Sequence, residues 1–202
     1  MIDVTPKYFH VRRNNSEIPN VFRYEKQFWR RNLLVALREP DIAIPNELEA
    51  AFRAHHGLVF RTAYRITGNA ADAEDVLQSV FLRLLRRSPG AEPMENQESY
   101  LRRAAINAAL DVIRSRQSDR RVEIPEDLAH NEKPELRQAL ARALAQLEPR
   151  PAEIFTLRFL EGFTNLQIAR MLGISQVLVA VIVHRTRKQL RKELGSYLGD
   201  KS

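Results

Sequence analysis

The chain has 202 residues, and its 32 Lys and Arg against 25 Asp and Glu give a formal net charge of +7. This basic balance favours a polyanionic partner, whereas the lack of cysteine excludes disulfides, thiolate zinc sites and cysteine nucleophiles. No apolar run approaches a membrane span and no signal peptide is visible, which predicts a cytoplasmic protein without membrane insertion. Seven glycines and few alternating β-branched residues leave little room for a sheet, so the chain is predicted to be all-α.

Residues 1–45 are the least periodic part of the chain. Aromatic residues are scattered there among Arg, Lys and Asn, a helix is possible over 21–37, and Pro40 and Pro45 then break the chain. Because no spacing is recognisable, the segment is predicted to be a poorly ordered N-terminal extension. A basic-aromatic arm that binds nucleic acid or polymerase is the alternative interpretation.

The ordered protein is predicted to begin with two helices. Apolar residues recur at helical intervals over 46–67, and the adjacent His55 and His56 lack further metal ligands at fixed offsets. The second helix, DAEDVLQSVFLRLLRR over 72–87, begins with acids and ends with arginines, as the helix dipole favours. Its acids are interpreted as a helix start, because no nucleophile, histidine or glycine-rich loop lies near them in sequence.

The third predicted helix, QESYLRRAAINAALDVIRSR over 97–116, has the densest basic tract of the first half. The side chains predicted to point outward, away from the apolar side of this helix, are those of Arg102, Arg103, Asn107 and Arg114, and Arg116 follows at its end. Arginine rows suit phosphates, and an outward Asn supplies a paired donor and acceptor for a base edge. A solvated helix face is the alternative, and for a single basic helix it is the commoner one.

After an aperiodic stretch with an acidic centre, the pattern predicts four more helices. Two amphipathic segments at 135–147 and 152–160, the latter with Pro151 at its start, lead to TNLQIARMLGISQVLVAVIVHRTRKQLRKEL. Thr164 can cap a short helix with Gln167 as its capping-box partner, and Gly173 marks a left-handed corner before a longer helix with a basic end. This pattern is typical of a DNA-binding helix-turn-helix. Two amphipathic helices around a glycine also occur in proteins that bind no DNA.

The order of these segments closely resembles bacterial RNA polymerase sigma factors of the extracytoplasmic-function (ECF) type, over about residues 48–194. The resemblance implies two small helical domains joined by a flexible linker, the C-terminal one a helix-turn-helix. The domains would be an extension at 1–45, sigma region 2 at 46–117, a linker at 118–134, sigma region 4 at 135–194 and a tail at 195–202. It further implies core RNA polymerase, promoter DNA and an anti-sigma factor as partners. No catalytic residue, metal or cofactor is implied.

The resemblance assigns site residues by position. In region 2, Asp75, Gln78, Leu82 and Arg83 match the helix that docks on the polymerase. Arg102, Arg103, Asn107, Arg114 and Arg116 match the minus-ten surface, with Asn107 at the position of a common Asn near the flipped base. In region 4, the minus-thirty-five surface comprises Gln176, Val177, Ala180, Val181, His184, Arg185, Arg187 and Lys188.

The minus-thirty-five helix departs from the family pattern. Val177, Ala180 and Val181 cannot hydrogen-bond to base edges and can only touch thymine methyl groups. Most of the DNA affinity is therefore predicted to come from Gln176, His184 and the backbone-facing Arg185, Arg187 and Lys188. Much of the recognition would then depend on phosphate contacts and DNA shape. The alternative is that an unidentified partner covers this apolar face.

Two other functions remain open from the residues alone. A conventional helix-turn-helix regulator would act as a dimer on a palindromic operator, and an RNA-binding or purely structural helical protein would show no promoter preference. An enzyme is disfavoured, because no His–carboxylate constellation or phosphate-cradling glycine loop is present.

Overall fold

The computed structural model describes residues 46–86, 96–118 and 134–198. The described part is helical and contains no strand, which confirms the all-α prediction. The helices are α1 (Asn46–Thr67), α2 (Ala70–Leu85), α3 (Gln97–Ser118), α4 (Pro134–Ala145), α5 (Pro149–Phe159), α6 (Asn165–Leu172) and α7 (Gln176–Leu198). The predicted N-terminal extension and the acidic centre of the linker lie outside the described residues.

Helices α1, α2 and α3 pack against one another as the first helical group. Their shared core contains Val59, Phe81 and Leu101, all buried. The connection between α1 and α2 is only two residues long, and Gly68 makes it possible with a φ of 69°. Asn69 caps α2, because its side chain accepts hydrogen bonds from two backbone amides of the first turn.

Helices α4 to α7 form the second group, in which α7 packs against each of the other three. Four helices were predicted here, and the count is confirmed. The bounds differ by up to three residues, since α4 ends at Ala145 and not at 147, and α5 begins at Pro149 and not near Pro151. Pro149 fits the first helical position, where its missing N–H leaves no bond unmade. Helix α7 continues to Leu198.

The corner between α6 and α7 has the predicted geometry. Thr164 and Gln167 form both hydrogen bonds of a capping box, and Gly173 closes α6 in the left-handed region with a φ of 64°. Ser175 then accepts a hydrogen bond from the backbone of Leu178 at 3.1 Å and so caps α7. The two helix axes are bent by 112° at this break, which is within the range of helix-turn-helix motifs.

Within the described residues no single helix is long and apolar enough to cross a membrane. Helices α6 and α7 meet this criterion only when they are counted together across their bend.

Helix α3 belongs to the core of the first group and also contacts the second. Its apolar side packs against α1 and α2, and its opposite side contacts α4 and α5. Three of the predicted minus-ten residues, Arg102, Arg103 and Arg114, lie where the two helical groups meet.

Candidate nucleic-acid and polymerase surfaces

The predicted polymerase-binding residues lie on one side of α2. Asp75 and Arg83 are exposed, while Gln78 and Leu82 are half-buried. Spacings of three, four and seven residues place side chains on one helix face. Asp75 and Arg83 also line a groove of about 280 Å³ between α2 and α3, with Asp111 on its α3 side. The α2 surface is accessible to a partner protein.

Acidic residues crowd the start of α2. Burial raises the pKa of Glu74, and repulsion from Asp75 adds to this. Burial also raises the pKa of Asp72, and Asp75 adds to it, against the attraction and hydrogen bond of Arg116. Among the described residues, no group of three or more His, Asp or Glu side chains could hold a metal ion, so these carboxylates are not assembled into a metal site.

The basic face of α3 is paired with carboxylates. Arg102 hydrogen-bonds to Glu161, in the turn after α5, and at 2.7 Å to Glu98 of its own helix. The guanidinium carbon of Arg102 lies 5.1 Å from the ring centroid of Phe163. Only 13% of the Arg102 side chain is exposed, and only 1% of that of Glu161. This arginine is therefore held between both helical groups.

The next arginine makes a similar contact with α5. Nε of Arg103 donates to Glu153 at 2.7 Å, and the Glu153 side chain is 4% exposed. Farther along α3, Arg114 donates to the backbone carbonyl of Leu147 at 3.1 Å. The last arginine, Arg116, pairs within its own group with Asp72.

The prediction that these side chains look outward is therefore wrong for Arg102, Arg103 and Arg114, which face the second helical group. Helical spacing correctly separates the polar side of α3 from its apolar side. It does not identify acceptors that lie 50 and 59 residues away in sequence. Asn107, half-buried on the same helix, and the role of all five residues in DNA binding stay predictions.

Two further arginines, not identified from the sequence, extend this basic cluster onto α1. Arg65 donates to Glu161 at 2.9 Å. Burial lowers the pKa of Arg61, and repulsion from Arg65 and Arg102 adds to the effect, while Glu161 opposes it. The spacing of four residues between Arg61 and Arg65 places them on one face of α1 and was the available signal.

The predicted minus-thirty-five residues have a different environment. Gln176, Val177, Ala180 and Val181 are exposed in the first turns of α7, with Val177 at 73%. Farther along, His184, Arg185 and Lys188 are exposed and Arg187 is half-buried. None of these four side chains forms an ion pair with a residue of the described part. The start of α7 is therefore an open, largely apolar surface that continues into a basic one.

A helix-turn-helix with an exposed second helix, joined to a helical group that carries a basic cluster, is typical of DNA-binding proteins. Sequence comparison specifies its family. Residues 51–119 match Sigma-70 region 2, and residues 137–190 match Sigma-70 region 4. The chain belongs to the sigma-70 family of RNA polymerase sigma factors, in its ECF group.

Individual relatives agree with this assignment. The chain is 34% identical to the ECF RNA polymerase sigma factor SigE of Mycolicibacterium smegmatis, over 72% of this chain and 60% of the relative. It is 32% identical to the sigma factor CarQ of Myxococcus xanthus, over 73% of this chain and 88% of the relative. A solved structure of the sigma factor RpoE from Bartonella quintana, in complex with the anti-sigma factor NepR, matches 74% of this chain and 97% of that one. Its sequence identity is 19% and its TM-score 0.46, so the family assignment rests on the sequence matches.

Proposed function

We propose that this chain is a dissociable initiation factor, without enzymatic activity of its own, that directs core RNA polymerase to promoters in the cytoplasm. The observation that supports this most strongly is the presence of both sigma modules, region 2 and region 4, in family order. A module that holds polymerase and a module that reads duplex DNA are needed together for promoter selection. Tethering two modest DNA surfaces raises their effective concentration on one promoter.

The α2 surface is the proposed polymerase contact. It is accessible, and Asp75, Gln78, Leu82 and Arg83 supply both charge signs and an apolar side chain. The double variant Asp75→Ala/Arg83→Ala is expected to weaken binding to core polymerase. Glu49→Ala/Arg53→Ala, which removes one acid and one arginine at exposed positions of α1, is the matched control and leaves that affinity unchanged.

The α3 arginines and Asn107 are the proposed minus-ten surface, and α7 the proposed minus-thirty-five reader. Removing a base from the stack requires a few kcal/mol of unstacking, which phosphate contacts and a pocket must offset. In α7 the open apolar positions touch thymine methyl groups, while the cations hold the backbone. An anti-sigma factor is proposed as a further partner from family membership.

Run-off transcription with purified core polymerase and genomic fragments tests the function. Specific start sites are expected that core polymerase alone does not use. If the purified chain neither binds core polymerase nor adds start sites, the proposal is wrong. The alternative, a helix-turn-helix regulator, would be a dimer in solution, which a mass measurement detects. It would also bind a palindromic operator without polymerase.

A further inference from the structure

The contacts between the two helical groups connect the proposed minus-ten surface to residues that belong to region 4. We infer that the free chain is closed: Glu153 and Glu161 occupy the arginines of region 2 that single-stranded promoter DNA would bind, so that carboxylates and DNA phosphates compete for the same guanidinium groups. The competition part of this inference rests on the proposed function of α3. The closed arrangement itself rests only on the contacts.

The two glutamates engage arginines from two helices of region 2. Glu161 accepts hydrogen bonds from Arg65 of α1, at 2.9 Å, and from Arg102 of α3. Glu153 accepts from Arg103 of α3 at 2.7 Å, and at 3.3 Å from Arg150 of its own helix. A carboxylate and a phosphate can each present two anionic oxygens to a guanidinium. Both therefore accept the same paired, charge-assisted hydrogen bonds, although one is planar and the other tetrahedral. The same donors therefore suit either ligand.

The contact is built into the fold at several points. Glu153 lies within a run of six consecutive buried residues of α5, from Ala152 to Leu157. Glu161 is positioned by the turn that follows α5, in which Gly162 adopts a φ of 79°. That turn also brings Phe163 against Arg102, which adds an apolar and cation–π contact to the ion pair.

The burial of these carboxylates distinguishes them from ordinary surface ion pairs. Exposed pairs contribute little because water and salt screen them. Glu153 and Glu161 are almost fully removed from water, so their attraction is screened much less. Opening the contact returns both carboxylates to water but leaves the arginines free for another anion. DNA that fills these sites therefore favours the open form, as a ligand favours the state it binds.

The other two proposed surfaces stay accessible while the minus-ten surface is covered. Asp75 and Arg83 of α2 are exposed, as are Val177 and Lys188 of α7. Core polymerase could therefore bind region 2 before the minus-ten surface opens. Unproductive binding of single-stranded DNA by the free factor would be suppressed.

The closed form can be tested by a distance measurement that needs neither DNA nor polymerase. Because the chain has no cysteine, Arg53→Cys and Gln189→Cys introduce unique sites for spin labels, one on α1 and one on α7. In this labelled background, Glu153→Gln/Glu161→Gln is expected to lengthen and broaden the inter-label distance distribution. Excess oligo(dT) is expected to lengthen the inter-label distance in the same way when it is added to the labelled chain that retains Glu153 and Glu161.

Binding of fluorescent oligo(dT) to the full chain, followed by anisotropy without polymerase, tests the competition. If the closed form outweighs the open form by about a hundred to one in the free chain, opening it raises the apparent affinity about a hundredfold. The control Glu49→Gln/Glu148→Gln changes the net charge equally at two exposed positions and should leave affinity and distance nearly unchanged. Circular dichroism verifies that each variant retains its helix content.

The outcomes separate this inference from the proposed function. An unchanged distance in the Glu153→Gln/Glu161→Gln variant, with folding retained, overturns the closed form. A longer distance with affinity no higher than in the control overturns the competition, whatever the transcription assay shows. Failure of run-off transcription together with a longer distance leaves the closed form in place and contradicts only the promoter function.

Discussion

Two basic helices of this protein look alike in sequence and differ in structure. The arginines of α3 are paired with carboxylates or a carbonyl group, at Arg102, Arg103 and Arg114. The cations Arg185 and Lys188 of α7 are exposed. A row of arginines therefore indicates an anionic partner, but the partner is an internal carboxylate in α3, whereas in α7 the proposed partner is an external polyanion.

The energetic roles of the two helices differ for the same reason. Arg102 contributes to stability because it offsets the charge of Glu161, which is removed from water. Arg185 keeps its hydration, contributes little to folding and loses little when it meets a phosphate. On the proposed function, α7 can bind duplex DNA directly, whereas the arginines of α3 must first leave their carboxylate partners.

The largest expected effect is on folding stability. Arg102→Ala removes one of the two region 2 partners of Glu161, and a buried charge left poorly paired costs up to about 3 kcal/mol of unfolding free energy. Arg185→Ala, at an exposed position of α7, should stay within about 0.5 kcal/mol of the parent chain. Urea denaturation followed by circular dichroism measures both. Equal losses in the two variants would contradict the contrast between the helices.

The next effect is on promoter preference. Val181→Arg places a guanidinium at an exposed apolar position of α7, where a bidentate contact to guanine would replace a thymine methyl contact. The preference at one base pair should shift from thymine towards guanine by about 1–3 kcal/mol, as measured by competition binding with singly substituted duplexes. Gln189→Arg adds the same charge farther along the helix and should strengthen binding without this shift. Unchanged affinity and preference in Val181→Arg would count against a groove-facing Val181.

Much of the fold follows from local sequence. The predicted bounds of the first helix, 46–67, agree with those of α1. Thr164 and Gly173 mark the corner of the helix-turn-helix because capping and a positive φ are local requirements. These features are set by neighbours within a few residues, so periodicity and residue type identify them.

The pairing of the α3 arginines could not be predicted in the same way. Their partners, Glu153 and Glu161, follow α3 by dozens of residues, and only tertiary packing brings them to Arg102 and Arg103. One signal was present in the sequence, since Glu153 lies in the otherwise apolar and small run AEIFTL. A carboxylate inside such a run requires a buried cationic partner, although the sequence does not say which one.

The salt dependence of DNA binding should separate the two helices further. Arg185→Ala and Lys188→Ala each remove a proposed phosphate contact, so each should reduce the slope of log affinity against log salt by about 0.9 for duplex DNA. Sequence preference should be retained, because phosphate contacts carry no base information. Arg53→Ala removes an exposed arginine of α1 and serves as the charge-matched control. If Arg53→Ala reduced the magnitude of the salt slope as much as the α7 variants do, the effect would reflect net charge and not contacts of α7.

The smallest expected effect concerns Asp72, which pairs with Arg116 inside region 2 and not across the two groups. Burial raises the pKa of Asp72 despite Arg116, so the folded chain retains a proton over a pH range in which the unfolded chain has lost it. The unfolding free energy of the parent chain, relative to Asp72→Asn, should therefore fall as the pH rises from the ordinary pKa of aspartate to the raised one, and stay level outside that range. Urea titrations of both proteins at a series of pH values measure this difference. A difference that instead increases with pH would show that Arg116 outweighs burial, and that the pair stabilises region 2 in its charged form.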